Sequence, residues 1–227
     1  MESILYFPLL LWSPATTVNR ALQAKSESLL PLKSALIVFQ VAILLLGYQL
    51  TVDALYASAG EALASPDIVR PFVLVFLVVL TSAVVLLAVR WYATALILYL
   101  VALVTGHRIP AFKTLSKLAV LSSFFWLLQQ LFVLIVYLLA VQASRSVEAV
   151  PPAIGLNLMV STVGSFQWNL LGYVNPFEIA GLAILVFGFE VATRTGRLKS
   201  FAVLSIVWLG CVTAMSAAQT LLVQWIN

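Results

Sequence analysis

The chain alternates long apolar runs with short polar stretches. Crossing a bilayer core takes about 20 apolar residues as a helix. Five stretches reach that length or come close: 34–52, 71–104, 118–141, 176–193 and 200–225. The second is interrupted only by Arg90. The runs are continuous, whereas barrel strands alternate over about ten residues, so the pattern predicts helices. Between them, 53–70 is acidic and polar, 105–117 is basic with Gly106 and Pro110, and 142–150 is polar and stopped by Pro151 and Pro152. Residues 153–174 hold Gly155, Gly164 and Gly172 with Asn157, Gln167 and Asn169. They are too polar and glycine-broken for a span, and are expected in the outer interface with Trp168 and Tyr173 as headgroup anchors. At the fourth span Asn175 stands at N-cap, Pro176 at N1 and Glu178 at N3, the spacing of a capping box.

Residues 1–33 predict a cytoplasmic interfacial segment. Ser13 reads as N-cap and Pro14 as N1 of a helix over 14–25, with Leu5, Phe7, Leu10 and Trp12 dipping into lipid. Residues 4–12 lack a basic flank and a small-residue cleavage site, so they do not read as a signal peptide. The fold class that follows is all-α: a polytopic transmembrane bundle of five spans over 34–227, plus short interfacial helices.

Composition agrees. The 227 residues are 63% hydrophobic and 9% charged, against about 25% charged in soluble domains. The net charge of +4 reflects topology, not nucleic acid: nine of the twelve Lys and Arg residues fall on one side of the five-span arrangement. They are Arg20, Lys25, Lys33, Arg108, Lys113, Lys117, Arg194, Arg197 and Lys199; Arg70 and Arg145 fall opposite. The positive-inside rule puts the N-terminus in the cytoplasm and the C-terminus outside a plasma or inner membrane. A sixth span at 153–174 would move Arg194, Arg197 and Lys199 outside.

Candidate chemistry is sparse. Cys211 and His107 are the only residues of their kinds, which argues against zinc or Cys/His catalysis. Ser161, Thr162 and Ser165 have no base nearby. No cofactor is expected, and the bilayer is the expected partner, with another membrane protein or a second copy left open. Ionisable groups inside the membrane are functional candidates. Arg90, Glu190, Gln129 and Gln130 therefore form the candidate intramembrane polar site. A 34-residue helix over 71–104 would be about 51 Å long. If it bends near Arg90 or projects from the membrane, Arg90 meets Glu190, and this arrangement is expected. If straight, it leaves Arg90 about 20 Å from the loop. Alternatively Glu190 reaches the interface beside Arg194, Glu178 only caps, and the glutamines bond between helices. His107, Arg108, Lys113, Arg194 and Arg197 form a candidate cytoplasmic surface, either a solvated topogenic loop or an anionic-lipid contact.

Three stretches carry a resemblance. Ser13-Pro14 is followed by a polar helix and Leu29-Leu30-Pro31-Leu32. Gly106 through Leu115 leads to Ser122-Ser123. Asn175-Pro176-Phe177-Glu178-Ile179 is followed by Phe187-Gly188-Phe189, Arg194 and Lys199. Together they resemble the Yip (Ypt-interacting protein) family in its short prokaryotic form. Ala180 stands where that family often has Trp, and Gly106-His107 where a glycine pair is common. The resemblance implies five spans and a non-enzymatic membrane scaffold or adaptor. Binding of Rab/Ypt GTPases, a property of members with a long cytosolic N-terminal region, is not carried over. The alternative from the residues themselves is a small transporter or lipid-handling protein.

The charge asymmetry makes a direct prediction. A reporter active only outside the cytoplasm, fused after Asn227, is expected to work; cytoplasmic fluorescence from a fusion there would contradict the orientation.

Overall fold

The computed structural model describes residues 6–24, 29–59, 72–105, 108–144, 155–163 and 165–226. The helices are α1 (Tyr6–Trp12), α2 (Pro14–Gln23), α3 (Leu30–Ala59), α4 (Phe72–Thr105), α5 (Phe112–Ser144), α6 (Phe166–Gly172), α7 (Pro176–Thr193) and α8 (Arg197–Ile226), with a 3-10 turn at Leu156–Met159. No strand is present among the described residues. Five helices are long and apolar enough to cross a membrane: α3, α4, α5, α7 and α8. The chain is a multi-pass, all-α membrane protein.

α5 is the hub. From Lys117 to Ser123 every side chain is buried, a pattern that belongs to a helix surrounded on all sides. α7, α4, α3 and α2 all pack against it. The contact with α7 is close because glycines meet it. A Cβ at Gly181 would lie 3.7 Å from the Ser122 carbonyl, and one at Gly188 would lie 2.0 Å from Leu118 Cδ2. In lipid, where apolar burial gives no advantage, such close backbone approach is a main source of helix association. α4 is tied to α5 by Trp91, whose Nε1 donates to Ser123 Oγ at 3.0 Å in a buried site.

One end of the bundle is basic. There the Arg108 amide donates to the Thr193 carbonyl at 3.2 Å, joining the α4–α5 connection to the α7–α8 turn. Arg194 makes that turn with a left-handed φ of 55°, a position usually given to glycine. Cations complement helix C-termini: Lys199 Nζ donates to the Thr105 carbonyl that ends α4, at 3.1 Å. Lys117 Nζ donates to the Leu22 carbonyl at 3.0 Å and to the Ala24 carbonyl, at the end of α2.

Several expectations are corrected here. α3 starts at Leu30, not at residue 34, because Pro31 in the first turn loses only an amide that has no helical acceptor. α4, by contrast, runs as one helix through Arg90, as the single 71–104 stretch predicts; a long charged side chain inside a packed bundle does not interrupt the backbone ladder. Leu10, expected in lipid, is 2% exposed within the protein core, whereas Trp12 is 85% exposed. α2 turns Thr17, Val18 and Ala21 inward and packs on α5 and α7. Ser13 precedes Pro14 as expected, but its hydroxyl makes no cap; its carbonyl instead accepts from the Thr16 and Thr17 hydroxyls at 3.0 and 2.8 Å. Leu5 lies outside the described residues.

The α5–α7 contact can be tested. Gly188→Ala is expected to destabilise the protein by about 1–3 kcal/mol through overpacking, read as a lower Tm in detergent. In a Leu118→Ala background, where the added methyl has room, its cost should shrink or change sign.

Candidate functional site

Arg90 and Glu178 are brought to one depth by counting alone. Arg90 stands fifteen residues before Thr105, and Glu178 fifteen before Thr193. Both helices end at the basic face, so each charge sits about 22 Å from it. Between them opens a cavity of about 920 Å³ bounded by α4, α5, α7, α8 and the 155–174 segment. α4 and α8 both line it but have little contact with each other, so the cavity has a flank toward lipid.

Its chemistry is graded. Its polar groups gather at the end away from the basic face, where Gln129, Gln130, Asn157, Asn169, Tyr173, Glu178 and Gln219 line it among apolar Leu86, Val89, Phe177 and Met215. Toward the basic face it is walled by Ile97, Leu98, Leu185, Leu204 and Val207. Arg90 lies between, with Ile97 and Leu98 about 11 Å beyond it along α4. The Arg90 guanidinium stacks over Trp126, 4.7 Å from the ring centroid, an attraction that grows when desolvated. Its Nε is buried with no hydrogen-bond partner, and so is Gln129 Oε1. Arg90 lies within electrostatic reach of Glu178 and Tyr173, but the two charges form no direct ion pair. Among the described residues the ion pair is Arg197 with Glu190.

The polar end is closed by the 155–174 segment, whose two helical turns are too short to span. Ser165 Oγ caps α6 by accepting from the Trp168 amide at 3.2 Å. Gly155 is obligatory: a Cβ there would lie 2.8–2.9 Å from the carbonyls of Leu171, Gly172 and Val174. Asn157 is 3% exposed, and its Oδ1 accepts from the Gly155 amide at 3.0 Å. The segment is pinned to α8 by Asn169 Nδ2 donating to Thr220 Oγ1 and by Gln219 Nε2 donating to Tyr173 Oη, both at 3.1 Å. Burial raises the Tyr173 phenol above its ordinary range, against the lowering effect of the bond from Gln219, and Glu178 nearby adds to the rise. Tyr173 therefore stays protonated near neutral pH, and its own O–H remains free to donate.

The candidate residues from the sequence are thus divided. Arg90, Gln129 and Gln130 line the cavity; Glu190 does not. Glu190 Oε2 accepts from Arg197 Nε at 2.9 Å near the basic face, and Arg197 also lies over Phe187. The expected Arg90–Glu190 pairing is corrected because the unbroken α4 holds Arg90 too far from that face. Arg194 is not the partner of Glu190 either, since it leaves the helix in the left-handed turn. Asn175 caps α7, its Oδ1 accepting from the Phe177 and Glu178 amides at 3.0 Å each. The capping box is not completed, and Glu178 lines the cavity. Trp168 and Tyr173, expected as headgroup anchors, also line the cavity. Arg108 and Lys113 are exposed at the basic face; His107 lies outside the described residues. Glu178, Trp126 and Cys211 were missed as cavity residues. For Glu178 the signal was present in its equal distance to the helix end.

The chain matches no protein-family model, no curated protein and no solved structure.

Double-mutant cycles read by thermal stability in detergent test this division. Arg90→Met with Glu178→Gln should be coupled by about 0.5–3 kcal/mol, whereas Arg90→Met with Glu190→Gln should be additive within about 0.5 kcal/mol. Glu190→Gln alone should cost at most about 1 kcal/mol, since its partner Arg197 is 66% exposed.

Proposed function

We propose that this chain is a non-enzymatic, lipid-handling protein of the cell membrane that holds an amphiphilic molecule in the cavity between α4 and α8. The observation that carries this reading is the gathering of polar groups at one end of the cavity around Arg90, a half-buried cation whose enclosed Nε has no partner. A ligand with a polar head and apolar chains matches that arrangement. Its head would lie beneath the 155–174 segment, its chains would run along the aliphatic wall, and the flank between α4 and α8 would let it arrive from the bilayer. Ligand sites commonly measure about 300–1,000 Å³, and this cavity falls within that range.

Orientation belongs to the same proposal. With Arg108, Lys113, Arg194, Arg197 and Lys199 in the cytoplasm, the N-terminus is inside, the C-terminus outside, and the polar end of the cavity lies at the level of outer-leaflet headgroups. A second reading, the Yip-type scaffold or adaptor, is favoured by Leu11 and Trp12, which α1 leaves exposed at 61% and 85%. In that reading they would face a partner protein.

Purification in mild detergent followed by native mass spectrometry and lipid extraction decides between them. The wild type should retain an amphiphile near one per chain. Arg90→Met should weaken retention about tenfold or more, since a charge-assisted hydrogen bond contributes about 1.5–3 kcal/mol. A stoichiometric protein partner with no retained amphiphile would support the scaffold and overturn lipid handling.

A further inference from the structure

Resting on that reading, we infer that the bound amphiphile is zwitterionic, with a phosphate held by Arg90 and a primary ammonium held by Glu178 and Gln129, as in a phosphoethanolamine lipid. Two enclosed side-chain atoms of the cavity's lining residues have no hydrogen-bond partner, and they are of opposite kinds: Arg90 Nε is a donor and Gln129 Oε1 an acceptor, each reached by a ligand once its side chain turns toward the cavity. Leaving such groups unmatched is costly in a low-dielectric interior. A ligand that only accepts would satisfy Arg90 and leave Gln129 unmatched. A ligand that only donates would do the reverse.

The charges say the same. The cavity lining contains one cation, Arg90, and one carboxylate, Glu178. They share the space without forming an ion pair with each other, and the cationic group stacks on Trp126. Glu178 is not used up at its own helix end, because Asn175 already caps the first amides of α7. A purely anionic headgroup would be drawn to Arg90 and repelled by Glu178 in the same low-dielectric volume. A zwitterion meets both charges with opposite ones. A primary ammonium also brings three N–H donors, enough for Glu178 and for the orphan Gln129 oxygen together. The free Tyr173 hydroxyl, on the same side of the cavity, is a further donor for the phosphate.

Cys211 makes the test simple. It is the chain's only cysteine, it is exposed, and it lines the cavity. Occupancy should therefore slow its alkylation by N-ethylmaleimide in delipidated, detergent-solubilised protein. The probes are dioctanoyl phosphatidylethanolamine, dioctanoyl phosphatidylglycerol and glycerophosphoethanolamine. In the wild type, the ethanolamine lipid should protect at a concentration about tenfold below the glycerol lipid, the discrimination expected of one matched charge. Glycerophosphoethanolamine, which lacks chains for the aliphatic wall, should not protect at that concentration. Glu178→Gln should abolish the preference while leaving protection by phosphatidylglycerol intact or stronger. Arg90→Met should lose protection by both lipids. Equal protection by the two lipids in the wild type, which needs no variant to fold, would overturn the zwitterion while leaving lipid handling standing. Protection by neither lipid would overturn lipid handling itself. Protection by glycerophosphoethanolamine as good as by the full lipid would overturn the lipid as source, leaving a soluble zwitterion as the ligand.

Discussion

The structure depends on one helix being enclosed. α5 is buried on every side between Lys117 and Ser123, so the other elements are arranged by how closely they can approach it. α7 comes nearest because Gly181 and Gly188 remove side chains from the contact. α4 is placed by the Trp91–Ser123 hydrogen bond. α2 reaches it through Lys117, whose ammonium binds the last carbonyls of α2. α8 is held through α7 and α6 rather than through α5. That difference creates the cavity: α4 and α8 flank the α5–α7 pair and meet at the basic face, where Lys199 binds the Thr105 carbonyl, with little contact farther along.

Within this arrangement Arg90 is stabilised by environment more than by direct bonds. A guanidinium taken into a low-dielectric bundle carries a large desolvation penalty. Trp126 offsets part of it through the ring face, and Glu178 supplies opposite charge within reach. Neither satisfies Nε. Tyr173 and Gln219 bond to each other at the cavity's edge, which orients the phenol without consuming its proton. The fold thus supplies a charged, partly satisfied surface next to an aliphatic one, and fixes both on long helices instead of loops.

Much of this was legible in the residues. The five spans follow from uninterrupted apolar length, and the α7 cap follows from Asn175-Pro176, whose chemistry is local. What was not legible depended on depth and on helix neighbours. Pairing Arg90 with Glu190 follows from a helix too long for the bilayer core, which would bend or project, and from giving each buried charge a partner. α4 instead stays continuous, and depth is then set by counting back from its end at Thr105. Glu178 was read through its position at N3, where a capping role is the local default. Its carboxylate turned out to be available because Asn175 satisfies both amides by itself. Gly155 could be recognised as a glycine that breaks a span, but its reason, three carbonyls within reach of a Cβ, exists only once α6 has folded back over it.

The position of the 155–174 segment also bears on why the cavity is polar at only one end. Asn157, Asn169 and Tyr173 enter the cavity from a segment that does not span, so their amides and hydroxyl need no membrane-crossing helix to carry them. On α6 and the turn before it, they are anchored by Thr220, Gln219 and the Gly155 backbone, and they meet Arg90 and Glu178 from above. The short segment therefore completes the site in a way no sixth span could. It brings polar groups to the depth of the charged pair while the lipid-facing sides of the long helices remain apolar.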